Sequence, residues 1–145
     1  MDKLKRLVVK VGTSTLTDAS GKVDRGYIEG FADQICAARD EGWQVIVVTS
    51  ASIASGLEAL GIDERPKDTP TLQAAASVGQ ITLSRIYSEV FAARGVVTSS
   101  VLLTRNDTAD RKSYLHARDT LLRLLELDVV PIINENDTVS VEQIR

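Results

Sequence analysis

The 145-residue sequence is poor in the side chains that most often bind metals or act as nucleophiles. Its single cysteine, Cys36, cannot form a disulfide within the chain, which favours a reducing compartment such as the cytoplasm. Together with the single histidine, His116, it is too little for a zinc site or a convincing Ser-His-Asp triad. We interpret His116 as a surface residue and Cys36 as a thiol at the edge of the core. We predict that the side chains of this chain form no metal site.

Long apolar runs and an excess of positive charge are also missing. No stretch approaches the roughly 20 apolar residues of a membrane helix, and Met1 leads into a strand-like segment without a signal-peptide core. A net charge of −3 argues against binding to nucleic acid or anionic membranes. With 43% hydrophobic and 26% charged residues, the composition is that of a soluble globular domain.

Strand-like and helix-like segments alternate along the chain. Strands are predicted at 7–11, 45–48, 96–103 and 129–133, and the run at 45–48 is apolar throughout. Helices are predicted from the cap Asp24 to the stop Gly42, after Ser50 to about Leu60, over 72–93, and after Asp110, with a surface loop at 62–71. The alternation predicts a parallel sheet with helices on both faces, whose strands all end at one edge, where ligands bind in such folds.

The first strand ends in Lys10, Gly12 and Ser14. A lysine inside an apolar strand costs burial energy unless its ammonium meets an anion, and a glycine after it lets a ligand approach the backbone closely. An edge-strand lysine that reaches solvent, followed by an ordinary turn, explains the same pattern. Both interpretations stay open at this point.

Polar residues also follow the other three strands. Thr49 and Ser50 stand where a helix N-cap belongs, in a segment whose amides could bind an anion, although a simple capped helix explains them too. The third end, 104–107, could reach a ligand, but we favour its interpretation as a turn before Asp110. The fourth offers Asn134, Asn136 and Asp137, which suit a zwitterion with an α-ammonium group or else form a solvated loop. A cation and oriented amides without a nucleophile are typical of phosphoryl transfer.

Five segments together resemble the glutamate 5-kinase family of the amino acid kinase superfamily: VVKVGTSTLT, VIVVTSASIASG, LLTRND, ARDTL and PIINENDTV. The resemblance covers the chain in the family's order and spacing. It implies an αβα sandwich, phosphorylation of the L-glutamate γ-carboxylate with ATP and Mg²⁺, and the first step of proline biosynthesis. It also implies homo-oligomers and feedback inhibition by L-proline.

By the same resemblance, Lys10 is the catalytic residue that neutralises charge on the transferring phosphoryl group. Gly12 and Ser14 lie beside the nucleotide phosphates, Ser50 and Ala51 hold the substrate, and Asn134 and Asp137 complete its pocket. Residues 1–145 then correspond to the N-terminal glutamate-binding portion. The Gly-Asp-Asn-Asp motif, the ATP-binding half and any RNA-modification-type domain would follow it.

Two departures from the family pattern stand in the sequence. Ala51-Ser52 replaces the usual Gly-Ala, which weakens glutamate binding if that glycine has a backbone shape that alanine resists. His116 replaces an asparagine in a helix. The alternative function is a non-catalytic amino-acid-binding or oligomerisation module of the same fold, and PIINENDTV disfavours an aspartate or acetylglutamate kinase.

Overall fold

The computed structural model describes residues 5–103 and 111–135, which form four strands and five helices. The strands are β1 (Lys5–Val11), β2 (Trp43–Thr49), β3 (Val97–Leu103) and β4 (Val129–Glu135). The helices are α1 (Thr13–Leu16), α2 (Arg25–Asp40), α3 (Ser52–Leu60), α4 (Thr69–Ala92) and α5 (Arg111–Glu126). All four predicted strands are confirmed, each within a few residues of its predicted ends.

The four strands form one parallel sheet in the order β1-β2-β4-β3. The predicted parallel sheet with flanking helices is confirmed. Parallel pairing brings the strand ends into register, so that Val11 pairs with Thr49 and Thr49 pairs with Asn134. The last residues of β1, β2 and β4 before the loops therefore stand in one row across the sheet.

One face of the sheet carries most of the core. Val11, Val45, Val47 and Ile132 are buried in a cluster with residues of α2 and α4. Side chains alternate between the faces of a strand, and the other face is less covered, since Val8 of β1 is 61% exposed. Helix α5 packs against β4 on that second face, beside the buried Ile133.

The ends of α2 and α4 follow from their sequences with one correction. The Asp24 carboxylate accepts a hydrogen bond from the backbone N–H of Tyr27 at 3.1 Å, and Gly42 has a φ of 97°, so both predicted signals of α2 are confirmed. The loop predicted to run to Thr71 is too long. Asp68 caps α4, and Pro70 lies in its first turn, where a proline loses no helix hydrogen bond.

Helix faces are predicted well for α4 and poorly for α5. The helical spacing of apolar and small residues predicts one buried side of α4, formed by Leu72, Ala75, Ala76, Gly79, Leu83, Ile86 and Val90. All of these are buried except the half-buried Ile86, and Tyr87 and Phe91 are buried as well. The same reasoning predicts a shared face of α5 formed by Tyr114, Leu115, Arg118, Leu121, Leu122 and Leu125. Of these only Leu125 is buried, and Tyr114 is 50% exposed. His116 is exposed and Cys36 is a half-buried free thiol, as predicted. Within the described residues, no helix is both long and apolar enough to cross a membrane.

Candidate functional site

The candidate site lies at the carboxyl edge of the sheet, where β1, β2 and β4 end together. Ser50 joins the first two strand ends, since its backbone N–H and its hydroxyl both face the carbonyl oxygen of Val11, at 3.3 and 3.4 Å. Asn134 pairs with Thr49 on the other side of β2. The structure therefore brings Ser50, Ala51 and Asn134 together, three of the residues that the sequence predicts at the substrate pocket.

Ala51 connects β2 to α3 with a left-handed backbone, φ 80° and ψ 12°, and is 3% exposed. This conformation suits glycine and costs other residues about 1 to 2 kcal/mol. Ala51, and not Thr49 or Ser50, is the N-cap of α3, and no side chain caps this helix end. The predicted capping role of Thr49 and Ser50 is wrong, because the sharp turn at Ala51 directs the chain into the helix one residue later.

Asn134 and Ser52 form a buried polar pair beneath this turn. The Asn134 side-chain amide donates to the Ser52 hydroxyl at 2.7 Å, and the two residues are 3% and 2% exposed. The Asn134 Oδ1 atom is buried without a hydrogen-bond partner among the described residues. A buried polar atom without a partner costs free energy. This atom is therefore an acceptor available to a ligand donor such as an ammonium group.

A second buried pair supports the end of β2. The hydroxyls of Thr49 and Tyr87 lie 2.8 Å apart, and Tyr87 is 1% exposed. Burial raises the pKa of the Tyr87 phenol to about 12, although the bond with Thr49 opposes the shift. The tyrosine is thus a neutral hydrogen-bonding group at any physiological pH, and it fixes the last residue of β2 against α4.

The predicted phosphate-side residues lie at the end of β1. Lys10 is exposed on an edge strand of the described sheet. Of the two interpretations of the sequence, the structure therefore agrees with a lysine that reaches solvent and not with a buried ammonium group. Strand alternation directs its side chain to the face opposite Thr49 and Asn134. Gly12 has an ordinary φ of −82°, and a Cβ there would meet nothing within 4 Å. Ser14 is exposed in the short helix α1.

Asp137 and the predicted turn at 104–107 lie outside the described residues. Sequence reasoning missed Tyr87 and assigned no role to Ser52. The signal for Ser52 is the helical spacing of the small residues Ser52, Ser55 and Gly56, all of which are buried. Tyr87 gives no such signal, since its hydroxyl partner lies 38 residues away in the sequence.

The sequence model of the amino acid kinase family matches residues 5–145. The chain belongs to the amino acid kinase family. The family match confirms the amino acid kinase membership that the five sequence segments indicate. A parallel sheet with flanking helices and a candidate site at the strand ends agrees with it.

Curated relatives named glutamate 5-kinase are about half identical to the chain. The protein from Burkholderia thailandensis is 51% identical and the one from Ralstonia nicotianae 52%, each over 97% of this chain. The Moorella thermoacetica protein is 48% identical over 100% of the chain. In each case the chain spans 38% of the relative's length.

Proposed function

We propose that the chain is the glutamate-binding part of a glutamate 5-kinase, an enzyme that forms L-glutamyl 5-phosphate in the first step of proline biosynthesis. The observation that carries the proposal is the buried Asn134 Oδ1, which has no hydrogen-bond partner in residues 5–103 and 111–135 and lies next to the end of β2 at the carboxyl edge. About half of the residues of this chain are identical in relatives named glutamate 5-kinase, which supports L-glutamate as the substrate over other amino acids. The cytoplasm is the proposed location, where Cys36 stays reduced.

The substrate pocket consists of groups that match a charged amino acid. Asn134 Oδ1 accepts a hydrogen bond from the α-ammonium, and Asp137, assigned from the sequence resemblance alone, adds a negative charge on the same side. The backbone amides that follow Ser50, at the start of α3, offer donors to a carboxylate. The first four N–H groups of a helix lack partners within it, which makes them suitable for this role.

The γ-carboxylate must lie near the end of β1 for phosphoryl transfer. Bound ATP supplies the phosphoryl group, with one P–O bond formed to the carboxylate and one broken to the leaving ADP. Lys10, an exposed cation without an ion-pair partner among the described residues, stabilises the charge of that group. The space beside Gly12 admits a phosphate close to the backbone, with the Ser14 hydroxyl near it.

Mg²⁺ finds no counterpart in the described part of the chain. No three His, Cys, Asp or Glu side chains group there to hold a metal ion, so we assign no step to the metal in this chain. We further propose homo-oligomers and inhibition by L-proline, on the sequence resemblance alone.

Isothermal titration of the chain with L-glutamate, L-aspartate and L-proline tests the proposal. We expect glutamate-selective heat, weakened about tenfold or more by Ser50→Ala. The matched control, Ser77→Ala on the exposed surface of α4, should bind as the wild type does. A chain that circular dichroism shows to be folded, and that releases no heat with L-glutamate, would contradict the proposal and favour a module without this binding activity.

A further inference from the structure

The position of α3 relative to α4 depends on direct backbone contact. A Cβ atom at Gly79 of α4 would overlap the carbonyl oxygen of Ser52, and a Cβ at Gly56 of α3 would overlap the carbonyl oxygen of Ala75. Both glycines are buried. Such overlap with backbone atoms cannot be relieved by a side-chain rotation, so any larger residue must move one helix away from the other.

The two contacts lie at different distances from the candidate site. A Cβ at Gly79 would overlap most closely with the carbonyl oxygen of Ser52, the first residue of α3, and would also lie 2.5 Å from the backbone nitrogen of Gly56. The Ser52 hydroxyl accepts the hydrogen bond of the Asn134 amide at 2.7 Å. Gly56 meets α4 one helical turn further from Ala51. A nine-residue helix gains little stability by itself, so its N-terminus lies where packing puts it. A shift of roughly 1 Å at Ser52 is enough to break a hydrogen bond to Asn134.

We propose that Gly79 is a positioning residue for the amino-acid pocket. Because Gly79 has no side chain, the Ser52 carbonyl lies directly against its backbone, and this contact fixes the position of the start of α3. In that position the Ser52 hydroxyl orients the Asn134 amide, so that Oδ1 stays free for a ligand. Gly79 touches no ligand itself and acts through Ser52. This inference rests on the proposed function for the identity of the ligand, L-glutamate, and on contacts within the chain for everything else.

Three variants separate positioning from simple packing. Gly79→Ala and Gly56→Ala introduce similar backbone overlap, and Gly30→Ala, on the exposed side of α2 where a Cβ meets nothing within 4 Å, is the control. We expect Gly79→Ala to weaken L-glutamate binding by about tenfold or more, the equivalent of losing one hydrogen bond to the ligand. Gly56→Ala should lose similar stability but keep binding within about threefold, and Gly30→Ala should bind normally. Equal losses of affinity in Gly79→Ala and Gly56→Ala would overturn the proposal.

A readout without ligand separates this proposal from the proposed function. The ¹⁵N-labelled side-chain amide of Asn134 should exchange slowly with water in the wild type and in Gly56→Ala, and quickly in Gly79→Ala. If the wild type binds no L-glutamate, the proposed function fails while this signal still tests Gly79; unchanged exchange in a folded Gly79→Ala chain would overturn the positioning role.

Ser52→Ala keeps the test decisive even if Gly79→Ala does not fold. This variant removes the hydroxyl without enlarging the interface, so the helices should stay in place. Because Gly79 acts through Ser52, we expect the same rapid exchange at Asn134 and a loss of affinity of about tenfold. Wild-type exchange and affinity in Ser52→Ala would overturn the proposal, whatever Gly79→Ala does.

Discussion

The polar groups at the two edges of the sheet differ in whether they have hydrogen-bond partners. At the amino edge, Arg39 donates to the carbonyl and the carboxylate of Asp128, at 2.9 and 2.7 Å, and Arg94 pairs with Asp33 at 2.6 Å. The Arg94 guanidinium lowers the pKa of Asp33 through this hydrogen bond. At the carboxyl edge, by contrast, the Asn134 acceptor is buried and has no partner among the described residues.

The amino edge also has a cavity, but its polar groups already have partners within the fold. A cavity of about 600 Å³ opens at the amino edge, lined by Arg39, Trp43, Arg94 and Asp128 among others. Its two arginines already have partners within the fold, so a ligand would have to displace a carboxylate to reach them. Among the described residues, three buried side-chain atoms have no hydrogen-bond partner: Ser55 Oγ, Ser99 Oγ and Asn134 Oδ1. Asn134 lies in the row of strand ends, and this position is what favours the carboxyl edge as the site.

Asn134→Ala should have the largest effect on this difference between the edges. It leaves the Ser52 hydroxyl buried without a partner and opens a small void, which together cost about 3 kcal/mol of unfolding free energy. Gln44→Ala, at the amino edge, removes only an exposed bond to Arg6 and should cost less than about 0.5 kcal/mol. Urea denaturation measures both, and equal losses would mean that the carboxyl edge is not specially packed.

Tyr87 should make the stability of the carboxyl edge depend on alkaline pH. The phenol titrates near pH 10 when unfolded and at about 12 when folded, so the folded chain retains a proton that the unfolded chain releases. Stability from this group is complete below pH 10 and falls by about 3 kcal/mol as the pH rises through 12. Tyr87→Phe should remove that decline.

The measurement for Tyr87 is the difference in unfolding free energy between wild type and Tyr87→Phe at pH 8 and pH 11.5. Below pH 10 the variant should be about 1 kcal/mol less stable, because Thr49 loses its partner. The gap should narrow or reverse at the higher pH. A constant gap would mean that Tyr87 has an ordinary pKa and is less buried than the structure indicates.

Ala51→Gly should stabilise the chain by about 1 kcal/mol. The left-handed strain relieved at φ 80° exceeds the entropy that glycine adds to the unfolded state. Ala37→Gly, at an exposed position inside α2, provides the opposite sign and should destabilise by about 1 kcal/mol. Thermal unfolding measures both. Destabilisation by Ala51→Gly would mean that the Ala51 methyl packs more favourably than its backbone strains.

Asp128→Asn should have the smallest effect. Its side chain is 93% exposed, asparagine tolerates the same left-handed backbone at φ 65°, and Arg39 keeps its bond to the backbone carbonyl. We expect a change below about 0.5 kcal/mol that shrinks further in high salt. A loss several times larger would show that the amino-edge pairs hold the sheet together.

The sequence predicts the features that depend on neighbouring residues. The apolar runs give the strands, Asp24 and Gly42 give the ends of α2, and the alternation of elements gives the parallel sheet. Pro70 misleads, because a proline signals a loop and the first helical turn equally well. Ala51 stands out in the sequence because it replaces a glycine of the family pattern, but its backbone angle appears only in the structure.

Contacts between distant segments escape sequence reasoning. The strand order β1-β2-β4-β3 does not follow from any local pattern, and neither does the close backbone contact between Gly79 and Ser52. The Asn134–Ser52 bond joins residues 82 positions apart. These contacts decide which of the predicted site residues come together. Lys10, by contrast, lies on the other face of the sheet because side chains alternate along β1.

The most direct test of the ligand-binding edge is a ¹⁵N chemical-shift titration of the chain with L-glutamate. We predict that the backbone amides of Gly12, Ser50 and Ser52 shift progressively, together with the Asn134 side-chain amide. The amides of Gly42, Gly95 and Asp128 at the amino edge should stay in place. Shifts confined to the amino edge, or no shift at the carboxyl edge at saturating glutamate, would contradict the assignment of the site.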